Sequence, residues 1–339
     1  MTTVGVIIPY YQRKSGILRR ALDSILAQKL PAGVSLTVIV VDDESPAPVG
    51  PEISGLTFDG AFHLDLISQP NGGCAVARNT GMKALTSEMD FVAFLDSDDY
   101  WMPDHIAKAL EALGTDYDFY FTDHGRVGHH PSLFADIRFP PEGQPEDKLR
   151  RIDGSLWEVD KAFFFRHFLR VFTVHLSSFV YRRAVSPDAR FKDSLRTAGE
   201  DYLFMLNILT QSRKVCFRTE ALIMCGDGIN IYYGTYGWED EGHMRRIMGD
   251  ILFLYAMRDT LRLSADDAAF ITRKITSSQR KFAFFSLRRW IKYRTRWTAE
   301  LARLAAADRG LWWWFLPSAL YVALLFPLRL YSPLVDVQE

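Results

Sequence analysis

Short apolar runs, each halted by a polar or turn-forming cluster, recur through the first third of the chain. Val4–Pro9, Leu36–Val41, His63–Ile67, Phe91–Leu95 and Tyr117–Thr122 read as strands. Their near-continuous apolarity is the mark of parallel strands covered on both faces. Proline supplies no ladder N–H, so Pro9-Tyr10-Tyr11 is expected to end the first strand. Between the runs the period changes. Ile17-Leu18, Ala21-Leu22 and Ile25-Leu26 recur at helical spacing and predict a helix over Gly16–Gln28. Cys74–Leu85 reads as a helix packed by its alanines, and Pro103 is well placed to start another that ends near Leu113. The order β-α-β-β-α-β-α-β predicts an α/β fold built on an open, mainly parallel sheet with helices on its faces.

Beyond Gly125 the pattern weakens into Pro, Gly and charged residues as far as Lys161, which predicts a surface excursion or flexible loop. Order returns at Phe163–Arg182, where Phe179–Tyr181 reads as a strand, and at Ala198–Leu209. Gly226–Gly237 reads as a glycine-rich mobile loop, and His243–Leu263 as a long amphipathic helix. The division expected is 1–125, 126–272 and a helical extension, 273–339.

Composition is ordinary for a globular protein, at 48% hydrophobic and 24% charged residues. The formal charge of −1 hides an asymmetry, because residues from Arg273 onward carry 12 Lys/Arg against 4 Asp/Glu, leaving 28 against 37 in front. Three scattered cysteines with no C-x-x-C pair argue against a disulfide framework or zinc site and fit a reducing compartment. The start, MTTVGVIIPYY, lacks the basic segment and apolar length of a signal peptide, so the cytoplasm is expected. A G-x-G-x-x-G after the first strand and a G-x-x-x-x-G-K-[ST] are both absent. A dinucleotide-binding fold and a P-loop NTPase therefore lose their main support.

The richest stretch is Phe91–Trp101, FVAFLDSDDYW, in which a buried strand runs straight into Asp96, Asp98 and Asp99. Open α/β sheets bind ligands at the carboxyl ends of their strands. Two carboxylates separated by one small residue suit a hard divalent cation that also holds a diphosphate. A turn capped by Asp and Ser is the alternative for such a motif alone. Other charged groups follow strand ends or turns: Asp42 and Asp43, Arg78, and Glu200 with Asp201. Asp42 at a strand end can accept from the imide N–H of uracil, and Arg78 can contact a base or phosphate.

Five motifs in order carry a resemblance: Ile8-Pro9-Tyr10-Tyr11, Val41-Asp42-Asp43-Glu44-Ser45, Asn71-Gly72-Gly73 with Ala77-Arg78-Asn79, Leu95-Asp96-Ser97-Asp98-Asp99, and Gly199-Glu200-Asp201. The chain resembles the family 2 glycosyltransferases of the GT-A fold, which are inverting nucleotide-sugar transferases. Pro-Tyr-Tyr-Gln, Asp-Asp-Glu-Ser-Pro and Gly-Ile-Asn-Ile-Tyr resemble bacterial exopolysaccharide glucosyltransferases of the succinoglycan type more narrowly. The resemblance implies that Pro9 and Tyr11 border the nucleotide, Asp42 holds the base, Arg78 supports the uridine side and Asp96 reaches the ribose or donor sugar. It implies Mg²⁺ or Mn²⁺ on Asp98, and Asp201 as general base supported by Glu200. Tyr11-Gln12 departs from the family's more usual Tyr-Asn. UDP-glucose is the expected donor and a growing, lipid-linked glycan the expected acceptor. A nucleotidyltransferase acting on a sugar phosphate, and a non-catalytic sugar-nucleotide sensor or membrane scaffold, are the alternatives.

Several residues admit two readings. Trp101, with Tyr100, stacks on a sugar or belongs to the core, while Trp238 beside Glu239 is the better acceptor-site candidate. His175 reads as a packed, hydrogen-bonded histidine, and His124 and His243 have no partner at informative spacing. Residues 273–309 hold 11 basic and 2 acidic residues interleaved with aromatics, and Leu311–Leu328 follows with no charge. A basic aromatic helix beside an apolar run is a membrane-surface composition, and nucleic acid would not explain the apolar part. Residues 273–330 are therefore expected to associate with the cytoplasmic face of the plasma membrane. Pro317 and Pro327 favour an interfacial or re-entrant arrangement over a spanning helix, with a buried helix pair as the alternative.

Overall fold

The computed structural model describes residues 1–128, 131–196, 199–226, 241–294, 299–328, 330 and 332–333. Their contacts divide the chain into two compact units. The first comprises Met1–Asp193 with Phe204–Ile229, and the second Ser194–Leu203 with Asn230–Glu339. The boundaries expected near residues 125 and 272 fall within elements described below.

The first unit is an α/β sheet. Its elements in order are β1 (Thr2–Tyr10), α1 (Ile17–Leu26), β2 (Val34–Asp42), α2 (Val49–Ile53), β3 (Phe62–Ser68), α3 (Cys74–Ala84), β4 (Phe91–Phe94), β5 (Tyr100–Trp101), α4 (His105–Leu113) and β6 (Phe119–Arg126). There follow α5 (Leu133–Ile137), β7 (Leu149–Asp153), β8 (Leu156–Val159), α6 (Lys161–Arg170), β9 (Val180–Arg182), α7 (Glu200–Gln211), whose first residues belong to the second unit, and β10 (Val215–Cys225). The sheet order is β3-β2-β1-β4-β9-β6-β10-β8-β7, with β5 beside β10. β1, β2, β3 and β4 pair in parallel, as do β6 and β10, and short β9 runs antiparallel between β4 and β6.

The chain winds outward from β1 through β2 to β3, then returns to place β4 on the other side of β1. The reversal falls at β1 and β4, and it is outside the carboxyl ends of strands at such a point that open α/β sheets take ligands. One face of β1 (Val4, Val6, Ile8, Tyr10) packs with Leu18, Leu22 and Ile25 of α1 and Ile106, Ala109 and Leu113 of α4. The spacing of those helical residues is the amphipathic repeat read from the sequence.

Two expectations need correction, and one strand went unread. β1 runs through Pro9, which pairs with Val41, so proline does not end the strand. Residues 125–161 are no loose excursion, since they form α5, β7 and β8. Phe134 and Phe139 pack there with Phe121 and Phe217, at ring separations of 4.8–6.1 Å. The longest strand of the sheet, β10 at 11 residues, escapes sequence reading. Its apolar run is broken around Arg218, Thr219 and Glu220, where the register against β6 shifts.

The second unit is helical among its described residues beyond 240: α8 (Glu241–Thr260), α9 (Ala265–Tyr293), α10 (Ala299–Ala307) and α11 (Leu311–Leu325). Its core joins Met244, Ile247 and Ile251 to Phe282, Phe285, Leu304, Phe315 and Val322. Ser264 caps α9 by accepting from the Asp267 N–H. No described helix is long and apolar enough to cross a membrane.

Candidate active site

Strand register brings the first unit's polar residues together. Tyr10 at the end of β1 lies opposite Asp42 at the end of β2, and Ile7 opposite Phe94. The loops after β1, β2 and β4 therefore share one sheet edge.

Asp42 is half-buried, and its Oδ1 accepts from the Ser45 N–H at 2.9 Å. Its neighbour Asp43, which sequence reasoning gave no role, is buried and accepts from the N–H groups of Gly72 and Gly73 at 2.9 and 2.8 Å and from Gln69 Nε2 at 2.7 Å. It fastens the Asn-Gly-Gly turn, and hence the start of α3, to the end of β2. Pro9 is buried near the end of β1, and Tyr11 is exposed just past the strand end. Gln12, at the position that departs from the family, is buried and donates from Nε2 to Ser97 Oγ at 3.1 Å.

Arg78 is also buried, and its Nη2 meets Asp96 Oδ1 at 2.7 Å. The structure thus pairs Arg78 with Asp96, two of the residues expected to serve the donor. Burial would raise the Asp96 carboxyl, but Arg78 and the positive charge of His175 more than offset this and hold it below the usual carboxylate range. Asp96 keeps about a quarter of its side chain exposed, so the carboxylate is anchored yet open to solvent.

Behind this loop lies a network invisible in the sequence. The Ser177 hydroxyl accepts from the Asp96 N–H at 3.1 Å and donates to Asp99 Oδ2 at 2.6 Å. Asp99 Oδ1 accepts from the Gly226 N–H at 3.1 Å, and His175 Nδ1 lies 3.6 Å from Asp99 Oδ2. Asp99 thus ties the loop after β4 to the 175–177 turn and to the end of β10. Burial, with the charge of Asp96 behind it, leaves the Asp99 carboxyl above its ordinary value despite His175 and these bonds. Burial disfavours the His175 imidazolium, yet the Cys225 sulfur and the carboxylates of Asp99 and Asp96 carry its pKa upward. His124 does find a partner, as its ring lies 4.9 Å from that of His175. A Cβ at Gly226 would overlap the Asp98 carbonyl oxygen and the Arg20 guanidinium. Arg20 Nη2 donates to that same carbonyl at 2.7 Å.

Trp101 is core. It is 2% exposed, donates from Nε1 to the Ser177 carbonyl at 2.8 Å and lies 4.9 Å from the tilted His105 ring, which favours the core alternative over stacking on a sugar. Trp238 and Glu239 lie outside the described residues, as does most of the glycine-rich stretch.

The donor set bears on a metal. Asp99, His175 and Cys225 bring three ligating atoms within 4.8 Å of one another. However, Asp99 is already bonded to Ser177 and Gly226, and His175 Nδ1 already faces the Asp99 carboxylate as its counter-charge. The trio is a hydrogen-bonded strut. Asp98 is half-buried beside the anchored Asp96 and belongs to no three-residue ligand cluster among the described residues. One or two carboxylates completed by substrate phosphates and water is how Mg²⁺ is usually bound, so the residues fit such an ion.

In the second unit, Gly199 has φ +85°, and a Cβ there would overlap Phe253, so glycine is required just before Glu200-Asp201. These acids open α7, where negative charge is favoured. Asp201 Oδ1 accepts from the Tyr202 N–H at 2.7 Å. Burial and the nearby Asp201 charge push the Tyr202 phenol up.

Residues 5–172 match the profile described as Glycosyl transferase family 2. The chain is 35% identical over 237 residues to the succinoglycan biosynthesis protein ExoW of Rhizobium meliloti (strain 1021), covering 69% of this chain and 72% of that one. Among solved structures it is similar to S. aureus TarS, at 18% identity and a TM-score of 0.55, covering 82% of this chain but 43% of TarS. A complex of TarS 1–349 with UDP-GlcNAc aligns with a TM-score of 0.55 at 19% identity, over 86% of this chain and 73% of that one. The mannosyltransferase PcManGT of Pyrobaculum calidifontis, in complex with GDP-Man and Mn²⁺, aligns at 0.50 and 19%, over 97% and 81%. At these identities the structures speak for the fold, which is GT-A-like.

Proposed function

The chain belongs to glycosyltransferase family 2, and we propose that it transfers glucose from UDP-glucose, with inversion, to a growing lipid-linked exopolysaccharide. The observation that carries this reading is the anchored Asp96 beside Asp98 at the carboxyl end of β4, held by Arg78 from one side and by Ser177 and Asp99 from the other. The succinoglycan relative supports an exopolysaccharide product, and the UDP-GlcNAc complex of TarS supports a uridine nucleotide.

Asp42 receives the base and Asp96 orients the ribose or donor sugar. An Mg²⁺ or Mn²⁺ ion held by Asp98 would supply positive charge to the diphosphate as it departs. The acceptor hydroxyl has a pKa far above neutral and needs a carboxylate within about 2.6–3.2 Å to take its proton. Asp201 takes that role, with Glu200 supporting it. The acceptor oxygen bonds to the anomeric carbon as the bond to the β-phosphate oxygen breaks, UDP leaves, and the proton passes to Asp201. One displacement inverts the centre, so an α-linked donor gives a β-linked product.

The test is a panel of nucleotide sugars incubated with the full chain, in chelator and then with Mg²⁺ or Mn²⁺ restored. The expected result is release of UDP, fastest from UDP-glucose and dependent on added metal. Release of pyrophosphate from a nucleoside triphosphate and sugar phosphate would favour the nucleotidyltransferase. Tight donor binding without turnover, even with a glycan acceptor, would favour the sensor.

A further inference from the structure

α11 carries no charged residue from Leu311 to Leu325, and its two faces meet different surroundings. Leu311, Phe315, Ser318 and Val322 are buried, spaced as one helical face. Phe315 lies against Phe282 of α9, with ring centroids 6.4 Å apart. The opposite face is equally apolar but open to solvent: Trp313 is 88% exposed, Leu316 60%, Leu320 62% and Leu324 60%. A helix that serves only to close a core carries polar residues on its outer face. A contiguous exposed apolar stripe marks a docking surface.

We propose that this stripe is the face by which the helical unit lies on an anionic lipid surface, with α11 in the plane of the interface. Length decides between lying and crossing. At 15 residues α11 is roughly 22 Å long, against a hydrocarbon core of about 30 Å. Charge decides the partner. Residues 273–309 hold 11 basic and 2 acidic residues, and Arg303 and Arg309 are exposed just before the helix. Anionic headgroups complement that charge, whereas a second copy docking by the same face would bring two basic segments together. Trp312 and Trp313 open the helix, and tryptophan favours the headgroup level. The start of α11 is held in place by Asp308, whose Oδ2 accepts from Trp314 Nε1 and from the Tyr255 hydroxyl, each at 2.7 Å. The stripe is thus presented by a fixed element, and the proposal stands whatever the donor or acceptor proves to be.

Co-sedimentation of the full chain with vesicles tests it. Wild type is expected to pellet with vesicles rich in phosphatidylglycerol, to pellet weakly with phosphatidylcholine alone, and to be released by salt. Leu316→Gln/Leu320→Gln/Leu324→Gln should weaken binding by at least about tenfold. Its thermal unfolding should stay as in wild type, since the three side chains already face solvent. Arg303→Gln/Arg309→Gln should lose binding to the anionic vesicles and keep the weak binding to neutral ones. Wild type that ignores vesicles, or a triple variant that binds like wild type, overturns the proposal. So does a wild-type dimer in sedimentation velocity that the triple variant abolishes, because the stripe's occupant is then a second copy.

Discussion

The strand-end loops of the sheet unit and the last helix of the helical unit break the usual rule of burial in opposite senses. In the first, Asp43, Arg78 and Asp99 are almost wholly removed from solvent, and in the second Trp313, Leu316, Leu320 and Leu324 are left in it. Each arrangement has a cost, since buried charge needs partners and exposed apolar surface invites association. The sheet unit meets its cost internally, with paired charges and hydrogen bonds that fix a loop in one geometry. The helical unit leaves its apolar stripe exposed, which is the observation the proposed docking to a lipid surface rests on. Departures from the burial rule thus mark both the candidate site and the proposed docking face, and their sign separates the two.

That contrast is broken most severely at the centre of the buried network. Arg78→Met removes the cation and leaves Asp96 with an unmatched charge. Breaking a buried pair costs about 3–5 kcal/mol, an upper value here because Asp96 keeps a quarter of its side chain in solvent. Chemical denaturation reads the loss, and transfer should fall with it because Asp96 loses its anchor. A variant with unchanged midpoint and activity would mean that the pair has no role.

A smaller effect is expected from His105, which is fully buried, with neither ring nitrogen partnered among the described residues. Burial pushes its pKa down to about 3. The unfolded chain takes up this proton near pH 6.5 while the folded chain does not, so stability falls as pH drops below about 6.5. Between pH 7 and 5 the histidine should account for about 2 kcal/mol of that loss. His105→Phe should remove it, flattening the decline in urea midpoint over this window. His175, shifted in the other sense, is common to both proteins and drops out of the difference. Parallel pH profiles would contradict the assignment.

The smallest effect is expected on the exposed stripe. Leu320→Gln should move folding stability by no more than about 0.5 kcal/mol, because the side chain gives up little burial. A loss of several kcal/mol on unfolding in solution would show that the stripe is covered within the molecule.

Much of the sheet was legible because β1, β2 and β4 are apolar runs followed at once by their polar residues. β10 was not, because Arg218, Thr219 and Glu220 interrupt its pattern at an irregularity that only the sheet reveals. The segment 125–161 looked loose for its prolines and glycines, yet two phenylalanines hold it in the core. Asp42, Asp96 and Asp98 stood out at strand ends. Their supports did not, since Ser177 and Gly226 lie 78 and 127 residues from Asp99 and meet it only through tertiary structure. Asp43 has a local signal, a second carboxylate after a strand and before a glycine turn. The burial of Arg78 and its pairing with Asp96 could not be read from an alanine-rich helix.

Asp201→Asn tests the central claim most directly, with donor affinity and transfer measured on the same preparation. Asparagine keeps the size of the side chain and removes its basicity. UDP-glucose binding is expected to stay within about twofold of wild type while transfer falls at least about a hundredfold. Transfer at the wild-type rate would contradict the claim, because the proton of the acceptor would then be leaving by another route.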